Sequence, residues 1–253
     1  MEKPPLLDFD PERPALIEPS ERFPAGRLPE RALLSFFPEA LEALCAREKA
    51  ESVGRLESLG LHPEVWRIER DGKGVVLFLS GVGAPAAGAF LEELIALGVR
   101  KAVVCGGAGV LERDIVQGHI LLPIEAVREE GLSYHYLPAG LAARPGAQAL
   151  AALRAVLARR RVPYREVKTW TTDGLYRETR GKIARRRAEG CFSVEMEAAA
   201  LFAVAEFRGI QLAQLLYAGD AVGGARWDQR GWTKNLSVQE QLLELGLEAV
   251  LSL

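Results

Sequence analysis

The 253 residues read as one α/β domain in which helices flank a mixed sheet. Three features lead there. From about residue 65, short apolar runs alternate with stretches of helical periodicity. The runs are continuously apolar, as in strands covered on both faces. Two of them end in glycine-rich segments, and folds of this class bind ligands at the carboxyl ends of strands. No internal repeat or interdomain linker divides residues 1–253, which read as a single domain with a proline-rich arm over 1–30.

Seven of the fourteen prolines lie in that arm: Pro4, Pro5, Pro11, Pro14, Pro19, Pro24 and Pro29. Proline fixes φ and removes a donor, so an extended arm along the body or a partly mobile one is expected. Pro38 to Val53 has helical spacing, with Leu41, Leu44 and Cys45 as its apolar stripe and proline suited to the first turn. Val75-Val76-Leu77-Phe78-Leu79 is a strand ending in Ser80-Gly81-Val82-Gly83-Ala84-Pro85. A helix carrying Phe90, Leu91, Leu94 and Leu97 follows and stops at Gly98. Lys101 to Cys105 is the next strand, ending in Gly106-Gly107-Ala108-Gly109. His119 to Val127 is a third, interrupted by Pro123. Pro145 to Arg160 reads as a helix, Val167 to Thr171 as a strand, and Arg177 to Glu189 as a strongly basic helix. Glu195 to Arg208 reads as a helix with an alanine-rich face. Leu212 to Tyr217 is a strand leading into Ala218-Gly219-Asp220, and an amphipathic helix runs from Val238 to Leu251.

Composition excludes several classes of function. With 32 Lys+Arg against 34 Asp+Glu, the chain lacks the basic footprint of a dedicated nucleic-acid binder. Arg159 to Arg187 does hold eleven basic and three acidic residues, but without aromatic interleaving it reads as a solvated face or a subunit contact. No apolar run is long enough for a membrane span. Met1-Glu2-Lys3-Pro4-Pro5 is not followed by the apolar stretch of a signal peptide, so a cytoplasmic protein is expected. Cys45, Cys105 and Cys191 are far apart and odd in number, and read as buried thiols. His62, His119 and His135 have no metal-ligand spacing, so no metal site is expected.

Four segments carry candidate chemistry. Gly81-Val82-Gly83 turns from a strand into a helix, which suits a tight turn or anion and sugar recognition. Gly81, Gly83 and Gly88 do not have the spacing of a dinucleotide fingerprint. Gly106, Gly107 and Gly109 mean that a ligand or a neighbouring strand approaches the backbone closely. In Val194-Glu195-Met196-Glu197-Ala198-Ala199-Ala200, Glu197 shares the core stripe with Ala200, Leu201 and Val204. A carboxylate there is costly unless paired or used, and a sugar diol would satisfy it. Asp220 ends a strand before Gly223-Gly224, a position open to a catalytic acid or an ordinary turn.

Taken together, the strings Phe192-Ser193-Val194-Glu195-Met196-Glu197-Ala198-Ala199-Ala200-Leu201, Thr172-Asp173-Gly174-Leu175-Tyr176-Arg177-Glu178-Thr179 and Gly131-Leu132-Ser133-Tyr134-His135-Tyr136-Leu137-Pro138 resemble the nucleoside phosphorylase superfamily. That family holds the purine nucleoside and uridine phosphorylases and their nucleosidase relatives, and the last two strings resemble the uridine branch. The resemblance implies a three-layer α/β/α sandwich around a mixed, partly barrel-like sheet, in a dimer or trimer of dimers. It implies cleavage of a ribonucleoside by phosphate to free base and ribose 1-phosphate. Inorganic phosphate is then a co-substrate, with no metal or organic cofactor. Glu197 matches the acid that holds the ribose 2′-hydroxyl, Met196 the residue packed on the sugar, and Glu195 the acid beside sugar and base. Leu175 and Tyr176 match the pair lining the base and ribose pocket. Asp220 matches the acid that, in purine-specific members, protonates or hydrogen-bonds the departing base. Arg22, Gly81, Gly106 and Gly107 fall to the phosphate.

The sequence departs from the family pattern at the phosphate. Ile17-Glu18-Pro19-Ser20-Glu21-Arg22 is the nearest match to a Gly-Asp-Pro loop with its arginine. Val104 and Ala108 stand where an arginine and a hydroxyl are expected, and charge-assisted bonds contribute about 1.5–3 kcal/mol each. The glutamine and arginine that read uracil are replaced by Arg177-Glu178-Thr179-Arg180, and the N-terminal histidine is missing. Three readings follow: a phosphorylase with other cations on phosphate, for which Arg22, Arg177, Arg180 and Arg226 are candidates and which is the function the resemblance leads one to expect; as alternatives, a hydrolytic nucleosidase and a nucleoside-binding member without turnover.

Overall fold

The computed structural model describes residues 4–23, 25–56, 60–112 and 114–253, with Lys234 described by its backbone alone. Pro24 of the arm and Met1-Glu2-Lys3 lie outside the described residues. The arm begins with a 3-10 turn at Pro5–Leu7 and holds one short helix, α1 (Pro19–Arg22). It lies along the body: the Arg13 guanidinium donates to the Phe207 carbonyl (3.0 Å) and stacks on that residue's ring.

In chain order there follow β1 (Arg31–Ser35), α2 (Pro38–Glu48), β2 (Glu51–Arg55), β3 (Glu64–Arg70), β4 (Lys73–Leu79), α3 (Ala84–Leu97), β5 (Lys101–Val110) and β6 (Ile120–Glu129). Then come β7 (Ala142–Ala143), α4 (Ala147–Arg159), β8 (Tyr164–Thr172), α5 (Arg180–Ala188), β9 (Cys191–Glu195), α6 (Ala198–Arg208), β10 (Gln211–Ala221) and α7 (Leu236–Leu251). These strands form one mixed sheet in the order β10-β6-β8-β9-β5-β1-β4-β3-β2, with β7 on β6. β10 also pairs with β5, so β5, β10, β6, β8 and β9 close into a five-stranded ring. β1 and β4 extend it in parallel, and β3 and β2 finish it as an antiparallel edge.

Period-two alternation builds three layers. Leu33, Leu77, Val103, Leu215 and Tyr217 face one way, against Leu44 of α2, Leu153 of α4 and Leu247 of α7. Ala32, Leu34, Phe78, Val104 and Leu212 face the other way, against Leu91 of α3 and Phe202 of α6. Both faces are covered, which is why these strands read as unbroken apolar runs. The expected three-layer α/β/α sandwich with a partly barrel-like sheet is therefore the architecture.

Several elements differ from the sequence expectation. The helix expected over Pro38 to Val53 stops at Glu48, because Lys49 adopts the left-handed conformation (φ 53°) and the chain turns into β2. The central strand β1 was not expected. The glycine-rich segment after Cys105 continues as strand, and β5 exchanges β1, which ends opposite Cys105, for β9 at Gly109 and Val110 while β10 stays paired with it. Lacking side chains, its glycines let β5 bend into the ring. Glu195 ends β9 rather than opening a helix, and Asp220 lies inside β10.

Candidate active site

A cavity of about 420 Å³ opens at the carboxyl ends of β1, β5 and β10, beside the β9–α6 junction. It receives Glu195, Met196 and Glu197 from that junction, Gly106 and Gly107 from β5, Leu175, and Asp220 from β10. Seven of the residues marked out by the sequence are thus brought together.

The junction is held by its own carboxylates. Glu195 is fully enclosed: its Oε2 accepts from the backbone N–H groups of Glu197 (2.7 Å) and Ala198 (2.6 Å), and its Oε1 accepts from the Thr171 hydroxyl (2.6 Å). Thr171 Oγ1 in turn accepts from Ala199 N–H (3.0 Å). Glu195 thereby satisfies the orphan donors that open α6, where the helix dipole also favours negative charge. Glu197, the N-cap residue of α6, reaches across to α3 and accepts from Gly83 N–H (2.6 Å). Gly83 has φ +92°, which few residues other than glycine adopt. The group that the Gly81-Val82-Gly83 turn receives is the protein's own Glu197.

Burial pushes both carboxyls above the usual carboxylate range, and the Glu195 charge raises Glu197 further. Three donors hold the Glu195 charge, and that charge in turn raises Glu197, so a single proton on the pair resides on Glu197.

Not all the marked residues reach the cavity. Gly81 is absent from its wall: a Cβ there would stand 2.8 Å from Ala86 Cβ and 3.1 Å from the Phe90 ring, so the glycine admits α3. Tyr176 stands in solvent, 93% exposed. Arg22 ends α1 with its guanidinium over the neighbouring Phe23 ring and is not in the cavity wall. Arg180 donates to the Ala225 carbonyl, and Arg226 lines a separate cleft. Asp220 is half-buried and accepts from Trp227 Nε1–H (2.6 Å).

Other residues complete the wall. Glu178 lies at the Asp220 end, where burial first and then the Asp220 charge raise its carboxyl to about 7. Phe36 and Phe37 enter from the end of β1. The chain after β10 folds back, placing Trp232 so close to Gly107 that a Cβ there would meet the ring at 2.9 Å. Tyr217 anchors this return, its hydroxyl donating to the Trp232 carbonyl (2.8 Å). Two tryptophans in a glycine-rich loop were the available signal for it. Four carboxyl groups, Glu178, Glu195, Glu197 and Asp220, therefore line the cavity, and among the described residues no Arg, Lys or His side chain does.

The two other strings that carried the resemblance support this wall. Buried Arg128 donates to Ser133 Oγ (2.9 Å) and to the carbonyls of Ser133, Leu137 and Pro138. Gly131 N–H donates to Asp173 Oδ2 (2.8 Å), tying the segment to the turn that carries Leu175.

A second cavity, of about 480 Å³, lies at the amino ends of β6 and β8 between α4 and α7 and holds none of these residues. Among the described residues, no group of acidic, histidine or cysteine side chains is arranged to hold a metal ion, and no helix is long and apolar enough to cross a membrane.

Comparison with known proteins bears on the family and the fold. The chain is 28% identical to the uridine phosphorylase of Escherichia coli K12 over 160 residues, covering 58% of this chain and 63% of that one. To the uridine phosphorylase of Salmonella typhimurium it is 37% identical over 73 residues, 29% of each chain. To the guanosine phosphorylase of Halorubrum lacusprofundi it is 28% identical over 141 residues, 56% of this chain and 58% of that one. These matches thus span from 29% to 63% of the curated relatives' length. Among solved structures, an AMP nucleosidase from Bacteroides thetaiotaomicron superposes with a TM-score of 0.72 over 89% of this chain and 88% of that one, at 23% identity, a likeness of fold. The sequence pattern of the phosphorylase superfamily matches residues 30–250, and the chain belongs to that superfamily.

Proposed function

We propose that this protein cleaves the N-glycosidic bond of a ribonucleoside with water as the acceptor, releasing free base and ribose. The observation that carries the reading is the charge of the cavity: four carboxyl groups and, among the described residues, no cationic side chain. As the glycosidic bond lengthens, positive charge builds on the sugar and negative charge on the base. Carboxylates beside the sugar stabilise the first, and a proton donor beside the base stabilises the second.

In this reading Glu197 holds the ribose hydroxyls, Met196 packs on the sugar, and Glu195 keeps its charge beneath them. Glu178 and Asp220 occupy the base end. Trp227 N–H holds Asp220 as an acceptor. Glu178, raised to about 7, carries a proton at the base end near neutral pH and delivers it to the departing base, while the proton on Glu197 lies at the sugar end. A phosphate dianion entering the same space meets the Glu195 charge and, among the described residues, no cation to offset it, and like charges disfavour each other where water is excluded. No step in this scheme calls for a metal or an organic cofactor.

Phosphorolysis is the second reading, favoured by the uridine and guanosine phosphorylases among the relatives. The test is base release from uridine, inosine and adenosine with and without phosphate, followed by assay of the sugar product. Release without phosphate, yielding ribose, is expected. Release that requires phosphate and yields ribose 1-phosphate would replace this reading with the second.

A further inference from the structure

One side chain in the cavity wall has no partner to account for it. Gln214, on β10, is 1% exposed, and neither its Oε1 nor its Nε2 has a hydrogen-bond partner among the described residues. It pairs in register with Val104 of β5 and lies on the strand face that carries Leu212, where alternation calls for an apolar residue. An unpaired buried amide costs about 1–3 kcal/mol, and an apolar residue of similar shape would remove that cost. Buried polar groups in native proteins are nearly always satisfied, so an orphan calls for an explanation.

Its surroundings supply one. Gln214 lines the same cavity as Glu197 and Asp220. Its Nε2 lies 3.7 Å from the position a Cβ on Gly106 would take, and the Phe36 ring lies 3.2 Å from that position. The amide therefore sits at the carboxyl ends of β1 and β5, beside the glycine backbone that the sequence resemblance gives to the acceptor. The guest that fits an uncharged amide with one donor and one acceptor side, in a wall of aromatic and glycine residues, is a small neutral hydroxylic molecule.

We propose that Gln214 is a positioning residue that holds the nucleophilic water of the reaction. This rests on the hydrolytic reading above. Gln214 Oε1 accepts one water O–H, which fixes the oxygen and leaves a lone pair directed at C1′ of the ribose. The oxygen bonds to C1′ as the C1′–N bond breaks, and that bond's electron pair departs with the base. One proton leaves the attacking oxygen for a carboxylate of the cavity, and Glu178 supplies one to the base. The sugar gains OH, the base gains H, and exchange with solvent resets the two carboxyls. The amide takes no proton itself.

The test compares the wild-type protein with Gln214→Leu and Gln214→Asn. For Gln214→Leu, kcat for phosphate-free base release should fall roughly 10–100-fold while the nucleoside KM changes less than about twofold, the signature of a misplaced nucleophile. Its Tm should not fall, since an apolar side chain replaces an unpaired amide. Gln214→Asn should recover part of the rate. With methanol added, Gln214→Leu should shift the product ratio from ribose towards the methyl riboside. Wild-type kcat in Gln214→Leu, or a rate loss matched by unfolding, overturns the assignment. If the wild-type protein releases base only with phosphate, the hydrolytic reading falls. The acceptor site is then judged by phosphate KM, where a rise of about tenfold in Gln214→Leu keeps it and no change removes it. If no nucleoside turns over, a crystal structure with a C-nucleoside decides. A water bonded to the Gln214 amide and facing C1′ supports the assignment, and an amide satisfied by protein groups overturns it.

Discussion

Replacing Glu197 with alanine removes a single carboxyl that bridges two elements and faces the cavity. In the free protein it accepts the Gly83 N–H bond at 2.6 Å. That bond is charge-assisted when Glu197 is ionised and contributes about 1.5–3 kcal/mol, but its loss is offset because the carboxyl no longer has to be buried. The net effect on folding should be small, within about 1–2 kcal/mol, with Gly83 N–H taking a water from the enlarged cavity. Ligand binding has no such offset. Two hydrogen bonds between ribose hydroxyls and the Glu197 carboxyl, which carries the pair's proton, contribute about 1–3 kcal/mol, so affinity for a ribonucleoside should fall roughly 5- to 150-fold. Calorimetric titration of inosine and of free hypoxanthine reads the difference. The riboside should lose its affinity, and the free base should keep its own. Thermal melting checks that the fold persists. Wild-type affinity of Glu197→Ala for ribosides, with an unchanged melt, would refute the placement of the sugar against α6.

Other expectations follow from the same geometry. Glu178 has a folded pKa of about 7, above the usual carboxylate value, so the folded state binds its proton more tightly than the unfolded chain does. Its contribution to stability is therefore greatest at low pH and declines as pH rises from the ordinary carboxylate range through about 7; Glu178→Gln should flatten that limb in melts taken from pH 5 to 8. The rate of base release should fall as pH rises past about 7, and Glu178→Gln should lose that limb together with most of the rate, whereas an unchanged pH profile would count against Glu178 as the donor. Arg128→Leu strips four hydrogen bonds from the Ser133–Pro138 segment and leaves the Leu137 and Pro138 carbonyls without that donor, while the Ser133 carbonyl keeps Tyr136 and Leu137 N–H, so the protein should lose about 3–5 kcal/mol in urea unfolding. Gly107→Ala puts a methyl 2.9 Å from the Trp232 ring, which must move. The cost of about 1–3 kcal/mol should appear as altered Trp232 fluorescence and weaker nucleoside binding, and an unperturbed spectrum would contradict the packing.

What could be read from the sequence was what repeats locally. Val75 to Leu79 and Lys101 to Cys105 announced a two-faced sheet because four or five apolar residues in succession have few other uses. Glu197 announced itself because a carboxylate is costly beside Ala200 and Leu201, even though it precedes the helix rather than riding on it. The short strand β1 was hidden, since its four apolar or small residues run into Phe36-Phe37-Pro38 and blend with the helix that follows. Gly106, Gly107 and Gly109 read as the end of a strand because nothing local tells a strand's end from its bend; the pairing with β9 decides that from far along the chain. Gln214 was invisible for a related reason. A single glutamine in a strand looks like a solvent-facing position until both sheet faces prove to be covered. Likewise, Trp232 meets Gly107 only through the return of the chain after β10, and no spacing rule links them.

The central claim is that water is the acceptor in a cavity lined by carboxyl groups. The most direct measurement is a single reaction in ¹⁸O-enriched water with phosphate also present, using whichever nucleoside is cleaved, with the sugar product weighed by mass spectrometry. Ribose carrying ¹⁸O at C1, in an amount independent of added phosphate, is the predicted result. Unlabelled ribose 1-phosphate as the product, rising with phosphate concentration, would contradict it.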